Sequence, residues 1–281
     1  IWKNIRKQGK EATVKKVLEL NKTTSKFGLH LNKIFLKDIL KVFGGRMDMM
    51  IAGGAAIDPQ ILQFFRDLGI MALQGYGLTE CAPMAALNQD VNPRNDSVGH
   101  VLPGVEVMIA DKDEDGIGEI LYRGPNVMLG YYNMPEETSE VMHDGWFNTG
   151  DLGFTDKEGW LYLTGRHKNV IVTKSGKNIY PEEIEEVLNA VPCISECMVY
   201  GSLRGNEDVV AVQVLPDIDV IKEALGHEPD EDEIYKYVKN AVNEANMTMT
   251  SYKRVKEVVI RKEDFVRTTT KKIKRQDNIP S

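Results

Sequence analysis

Four short segments of the chain carry most of the residues that could do chemistry. They are residues 74–80 (QGYGLTE), 144–151 (DGWFNTGD), 165–168 (GRHK) and 268–275 (TTTKKIKR). Glycine in the first segment lets the backbone approach a ligand closely. Glu80 and Asp151 offer carboxylates, and the last segment offers cations. Each segment alone is a weak signal, because a strand-end turn with a buried tyrosine and a surface glutamate would explain the first, and Asp is common in turns for local reasons.

The elements that position the first segment follow from apolar spacing. Residues 1–43 show helical periodicity among many lysines, and residues 47–52 are predicted as a short buried strand. Asp58 is a predicted N-cap, with Pro59 at the first helical position. A second strand is predicted over 70–74, so the segment 74–80 should follow a strand. Strand, helix and strand in this order indicate a parallel α/β layer.

The pattern changes from about residue 97. Apolar residues then alternate with polar residues and glycines, which predicts a small antiparallel sheet or barrel, with a further strand over 160–164. After Arg166 we predict a strand, a tight turn at 175–176, a helix opened by Pro181, two strands, a helix capped by Asp230 and a last strand over 255–261. This second half is typical of a compact α+β domain.

In this order and at these separations, the four segments resemble the adenylate-forming (AMP-binding) superfamily, which includes acyl-CoA synthetases, luciferases and peptide-synthetase adenylation domains. They are most similar to bacterial long-chain fatty acyl-CoA synthetases. The resemblance implies residues 1–165 as part of a large N-terminal α/β domain with a small β-barrel-like subdomain, 166–169 as a hinge, and 170–281 as a small mobile α+β lid domain. The family's Ser/Thr/Gly-rich phosphate loop does not occur in the 281 residues and the first residue is Ile1, so we expect the C-terminal part of a larger enzyme.

The resemblance also implies roles for individual residues. Joining a carboxylate to AMP requires an adenine platform, ribose anchors, a metal and a cation at the reacting oxygens. The implied nucleotide and metal contacts are Tyr76 on adenine, Gln74 at its amino edge with Gly75 and Gly77 beside it, Thr79 on the α-phosphate, Glu80 on Mg²⁺, Asp151 and Arg166 on the ribose, and Gly53, Gly54 and Ala55 along the acyl-adenylate. Close strand–helix packing would also explain the small residues, and a surface salt bridge would explain Arg166.

The lid roles rest on the same resemblance. Lys168 falls at the family's hinge, Gly176 in the turn that approaches CoA, and Lys272 at the lysine that reaches the α-phosphate and the substrate carboxylate. Lys271 replaces the glycine that usually precedes this lysine, which makes Lys271 the alternative cation. Asn169 stands where many relatives have Asp.

The implied function is ATP-dependent activation of a fatty acid to acyl-AMP and then acyl-CoA, with ATP, Mg²⁺ and CoA as cofactors or substrates. The 281 residues alone are expected not to turn over ATP. Other readings are adenylation of an aryl, amino or short acyl acid, a luciferase-like oxidase, a non-catalytic AMP-binding module, and a scaffold that keeps the fold. The acyl chain length cannot be read from the sequence.

The composition limits which classes of partner and which location can be expected. Hydrophobic and charged fractions of 42% and 27% are those of a globular protein, and a net charge of −7 argues against nucleic-acid binding, although residues 267–275 alone would suggest a basic tail. Three cysteines make no disulfide framework, so a cytoplasmic location is expected. Peripheral membrane contact and oligomeric state stay open. A calcium loop at 111–116 and a zinc site at Cys193 and Cys197 are rejected, because their remaining ligands are missing.

Overall fold

The computed structural model describes residues 11–24, 36–55, 57–173, 176–204 and 207–279. The chain divides into two compact units, which we call unit 1 (Ile1–Thr149 and Phe154–Leu163) and unit 2 (Gly150–Gly153 and Thr164–Ser281). The predictions for residues 1–10 and 25–35 and for Ser175 lie outside the described residues.

Both helices and strands occur in each unit. The α-helices are α1 (Glu11–Thr24), α2 (Lys37–Val42), α3 (Pro59–Asp67), α4 (Pro135–Val141), α5 (Pro181–Asn189), α6 (Ile218–Leu225), α7 (Glu231–Asn246) and α8 (Arg275–Asn278). The strands are β1 (Met49–Ala52), β2 (Met71–Gly77), β3 (Met84–Leu87), β4 (His100–Val101), β5 (Glu106–Ala110), β6 (Gly118–Arg123), β7 (Met142–His143), β8 (Trp146–Thr155), β9 (Leu161–Arg166), β10 (Ile171–Val172), β11 (Asn178–Ile179), β12 (Ile194–Arg204), β13 (Glu207–Pro216) and β14 (Val255–Ile260).

The first sheet of unit 1 has the order β1-β2-β3-β4. Strands β1 and β2 are parallel, and the connection between them is α3, so the parallel α/β layer is confirmed. Helix α3 begins as predicted: the Asp58 side chain accepts a hydrogen bond from the Gln60 N–H, and Pro59 occupies the first turn. Leu62 and Phe65 bury the inner face of the helix in a cluster that also contains Leu68 and Ile70.

Two predictions for this sheet are wrong in detail. Strand β1 is not buried, since Met49 and Ile51 are 50% and 51% exposed. It lies at the end of the sheet order, and the described residues do not cover its outer side. Strand β2 does not stop at Gln74 but continues through Gly77, because its last residues pair with the antiparallel strand β3.

The next sheet along the chain runs β5-β6-β8-β7, with β9 beside β8, and forms the predicted small antiparallel sheet. Ile120, Tyr122, Phe147 and Leu161 are almost inaccessible in its core. Its β5–β6 turn is closed by the Asp113 carboxylate, which accepts hydrogen bonds from two backbone N–H groups of the same turn. Local turn chemistry therefore accounts for the acidic run over 111–116.

Unit 2 is built on a sheet in which β12 and β13 are antiparallel and β13 and β14 are parallel. One cluster gathers Leu188 of α5, Ile221 of α6, Val238 of α7 and Val212 of β13. Asp230 caps α7 in a full capping box with Glu233, as its sequence predicts. Helices α6 and α8 are additions to the prediction. The mixed α/β and α+β fold class is confirmed.

Candidate functional site

The glycines of 53–54 lie beside the first chemical segment. In the parallel register of β1 and β2, Ala52 pairs with Gln74, so Gly53, which follows β1, lies beside the last residues of β2. A Cβ on Gly53 would stand 3.4 Å from the Gly75 carbonyl oxygen. The carboxyl edge of parallel strands is where open α/β sheets bind ligands. Unit 1 therefore brings the small residues and the start of the QGYG segment together.

Packing inside the sheet also explains part of this segment. A Cβ on Gly77 would overlap the Pro83 carbonyl at the start of β3, so glycine is required there without any ligand. Tyr76 is only 5% exposed and belongs to the cluster that contains Tyr122 and Phe147. The buried-tyrosine explanation of the sequence thus matches the structure, and the adenine role of Tyr76 stays a prediction.

Thr79 and Glu80 form a single 3₁₀ turn after β2. Thr79 is exposed, and Glu80 is partly buried. The Glu80 carboxylate accepts a hydrogen bond of 3.0 Å from the Tyr131 hydroxyl, and its carbonyl accepts one of 2.7 Å from the Met128 N–H. Burial, followed by the bond to Glu80, raises the pKa of Tyr131. The loop around Tyr131 therefore fixes Glu80 from the other side, a contact across about fifty residues for which the sequence carries no signal.

Glu80 suits a metal ion that is also coordinated by the phosphates of a bound nucleotide. Within the described ranges, no three His, Cys, Asp or Glu side chains come together as a metal site. Mg²⁺ in nucleotide sites is typically held by one or two carboxylates while phosphates and water complete its octahedron. A single partly exposed carboxylate suits that donor set.

The two predicted ribose contacts, Asp151 and Arg166, lie together in unit 2. The Arg166 Nε donates to the Asp151 Oδ1 across 2.6 Å, and the Asp151 side chain is 13% exposed. The structure therefore contains a salt bridge of Arg166, which was the alternative explanation of this residue. A carboxylate held in this way has a fixed orientation, and an ionised carboxylate can accept hydrogen bonds from several donors at once, ribose hydroxyls among them.

The predicted hinge and CoA residues occupy two exposed turns of unit 2. Lys168 is the middle residue of a 3₁₀ turn (His167–Asn169) that follows β9 directly. Gly176 lies in the turn between β10 and β11, where its N–H donates to the Thr173 carbonyl across 2.8 Å. Beside that turn the Lys177 ammonium lies 4.6 Å from the centre of the Tyr252 ring.

Lys272 projects from a short hairpin, and its side chain is exposed. The hairpin closes through the Thr268 N–H to the Lys272 carbonyl at 2.8 Å and the Lys274 N–H to the Val266 carbonyl at 2.9 Å. Lys271 has a φ of +65°, the left-handed conformation that follows a tight turn in three-residue hairpin loops and that glycine adopts most easily. Lys271 thus has the backbone conformation that glycine adopts most easily, and the choice of Lys272 over Lys271 as the reacting cation stays a prediction.

The other basic residues of this segment are engaged in ion pairs. Arg267 binds Glu196, and Arg275 binds Glu182 and Glu185. These pairs tie the segment to unit 2 and argue against a free basic tail. Among the described residues, no helix combines the length and the apolar character that crossing a bilayer demands.

The fold and the arrangement of these residues define an adenylate-forming protein, with a sheet edge rich in glycine in one unit and a lysine hairpin in the other. The AMP-binding enzyme family matches residues 5–132, and the AMP-binding enzyme C-terminal domain matches residues 168–279. The chain therefore belongs to the AMP-binding enzyme family, and the resemblance read from the four segments is confirmed.

Relatives and solved structures agree with this assignment. The chain is 36% identical over 173 residues to the long-chain-fatty-acid–CoA ligase FadD15 of Mycobacterium bovis, covering 62% of this chain and 28% of that protein. It is 36% identical over 184 residues to the long-chain-fatty-acid–CoA ligase of Escherichia coli O157:H7, covering 62% and 33%. The O-succinylbenzoate–CoA synthetase of Bacillus subtilis in complex with ATP and magnesium has a TM-score of 0.65 at 25% identity, covering 85% of this chain and 49% of that one. The chain thus spans a third or less of the curated relatives' length.

Proposed function

We propose that the chain supplies the nucleotide edge and the lid of an ATP-dependent acid–thiol ligase that converts a long-chain fatty acid to acyl-AMP and then to acyl-CoA. The observation that carries the proposal is the exposed Lys272 on a closed hairpin of unit 2, behind a residue with a glycine-like backbone. A lid must present one cation to reacting oxygens and later withdraw it. The names of the curated relatives support the fatty acid and CoA as substrates.

In the first step the substrate carboxylate attacks the α-phosphorus of ATP, and pyrophosphate leaves. Lys272 stabilises the negative charge that grows on the α-phosphate oxygens, while Thr79 donates a hydrogen bond to them. Asp151, oriented by Arg166, accepts hydrogen bonds from the ribose. Glu80 would hold Mg²⁺, which neutralises phosphate charge when it is bound.

In the second step the CoA thiol attacks the acyl carbonyl carbon, and AMP leaves. We assign Lys168 as the residue whose backbone dihedrals change between the steps, with Gly176 at the CoA face of the lid. Three further assignments complete the proposal. The hinge between the two domains lies at residues 166–169, Tyr76 and Gln74 contact adenine, and Gly53 to Ala55 lie along the acyl-adenylate.

The test separates the two half-reactions in a hybrid enzyme in which the upstream part of the E. coli ligase precedes this chain. Lys272→Ala should slow acyl-AMP formation about a hundred- to a thousandfold, as loss of a preorganised charge stabiliser does. Thioester formation from supplied acyl-AMP should change by only a few fold. Lys274→Ala is the matched control, since Lys274 is an exposed lysine of the same hairpin. An equal loss in both half-reactions, or the adenylation defect appearing with Lys271→Ala instead, would show that the role given to Lys272 is wrong.

A second proposal concerns the 281 residues by themselves: they bind AMP and do not turn over ATP. It is supported by the small share of the relatives' length that the chain spans. Calorimetry with AMP and a pyrophosphate-release assay test it, and sustained release by these residues alone would contradict it. A coupled AMP-release screen with fatty, aryl, amino and short acyl acids then identifies the acid, because the solved relatives include ligases of other acids.

A further inference from the structure

A network of charged side chains in unit 2 has no part in the function proposed so far. Glu182 and Glu185 lie on the first turns of α5, and Arg275 begins α8. The Arg275 guanidinium lies 2.6 Å from Glu185 and 3.4 Å from Glu182, and it also donates to the Val199 carbonyl at 2.9 Å. The side chains of Arg275 and Glu185 are only 20% and 14% exposed. Such a shielded network has a defined geometry, unlike an isolated surface pair.

The same network reaches the 3₁₀ turn that carries Lys168. The Asn169 amide donates to the Glu182 Oε1 across 2.6 Å. The other oxygen of Glu182 faces Gly165 at the end of β9, where an added Cβ would lie 2.6 Å from it. The Glu182 Oε1 thus accepts hydrogen bonds both from Asn169 in the turn after β9 and from the Arg275 guanidinium.

Arg275 is also close in sequence to Lys272. It follows Lys272 by three residues, and the Lys274 N–H between them closes the hairpin onto Val266. The exit of the Lys272 hairpin and the turn of Lys168 are thus both fixed to the first turn of α5.

The identity of residue 169 matters for this contact. An amide donates a hydrogen bond to a carboxylate, whereas an ionised Asp at the same place offers only acceptors and a like charge. An ionised Asp at this position could not make the bond that Asn169 makes.

We propose that Glu182 is a positioning residue that fastens the Lys168 turn and the exit of the Lys272 hairpin to one helix. The proposal rests on the proposed function, since that function makes 166–169 a hinge. Its consequence is that Asn169 moves with the lid domain (170–281), so that the dihedral change during the lid movement falls on residues 166–168.

The structural test uses the 281-residue chain and does not depend on activity. Hydrogen exchange of the amides over 167–172 should become about tenfold faster or more in Asn169→Asp, as expected when a hydrogen bond to a charged group is lost. In the double variant Asn169→Asp with Glu182→Gln the donor and acceptor are exchanged. Arg275 loses an acceptor at Glu182 but keeps its shorter pair with Glu185, so protection should return to within a few fold of the starting protein. Glu183→Gln is the matched control, because Glu183 lies on the same turn but pairs with Lys253.

Unchanged exchange in Asn169→Asp, equal loosening by Glu183→Gln, or a double variant no more protected than Asn169→Asp would each overturn the proposal. Labelling of the buried Cys193 and Cys197 verifies that unit 2 is still folded in every variant.

The functional arm compares the two half-reactions in the hybrid enzyme. Asn169→Asp should change the ratio of thioester formation to acyl-AMP formation several fold, and the double variant should restore it. If the unsubstituted hybrid forms no acyl-AMP, the proposed function fails, while the exchange result still decides the role of Glu182. If the hybrid is active and the ratio is the same in all variants, the positioning role is wrong and the proposed function stands.

Discussion

Glu185 should make the stability of unit 2 fall as the pH rises from about 5 to about 7. Burial raises the pKa of this carboxyl from its ordinary 4.5 to about 7, and Arg275 opposes the rise only in part. One oxygen accepts a hydrogen bond of 2.6 Å from the Val199 N–H, and the other faces Arg275. We therefore compare the stability of the unsubstituted chain and of Glu185→Gln as the pH is changed. The glutamine side chain keeps the shape of glutamate and one hydrogen-bond acceptor but cannot ionise.

The direction of this pH dependence follows from whether the folded or the unfolded state binds the Glu185 proton more tightly. The folded protein keeps the Glu185 proton up to a higher pH than the unfolded chain does, so this group favours folding below pH 4.5. The benefit is lost as the pH rises through the interval up to about 7. A pKa difference of this size corresponds to about 3 kcal/mol in the free energy of unfolding. Glu185→Gln should therefore resemble the unsubstituted chain at pH 5 and exceed its stability at pH 8.

The assay is urea unfolding read by a short pulse of thiol labelling at two pH values. Cys193 and Cys197 are buried in unit 2, while Cys81 is buried in unit 1 and serves as an internal control. The difference between the two proteins should appear at the first two cysteines and be absent at Cys81. The same pH dependence in both proteins, or a Gln variant that is the less stable one at pH 8, would refute the reasoning and show that Arg275 keeps Glu185 ionised.

Two further predictions concern backbone positions. Lys271→Val should lower the free energy of opening of the Lys272 hairpin by about 1–2 kcal/mol, because a β-branched residue tolerates the left-handed conformation poorly. Lys271→Gly should change it by less than about 1 kcal/mol, since relief of strain is offset by the freedom of glycine in the unfolded chain, and hydrogen exchange over 268–274 measures both. Gly77→Ala should destabilise unit 1 by about 1–3 kcal/mol, because its Cβ would overlap the Pro83 carbonyl. Gly53→Ala, with ordinary contacts, should cost far less; equal urea midpoints for the two alanine variants would contradict this.

Local signals in the sequence were sufficient for the elements that frame the site. Asp58 with Pro59, and Asp230, mark helix starts because a cap acts within three residues of its own position. The four chemical segments could also be recognised from the sequence, because each consists of residues that are consecutive in the chain. The exposure of β1 could not be predicted, because a short apolar run looks the same whether or not a neighbouring strand covers it.

The contacts that orient the site residues were outside the reach of sequence patterns. Tyr131 meets Glu80 across 51 positions, and Arg275 meets Glu185 across 90. Each of these residues alone resembles an ordinary surface tyrosine, glutamate or arginine. Only the folded chain reveals that their polar groups are paired.

The division into two units decides what the protein's own fluorescence can report. Trp146 and Trp160 both belong to unit 1, and no tryptophan occurs in residues 164–281. A denaturation curve followed by indole emission would thus record one half of the molecule and pass over melting in the other. Any screen for stabilising compounds or buffers that relies on that emission needs a second reporter, such as an introduced tryptophan, in unit 2.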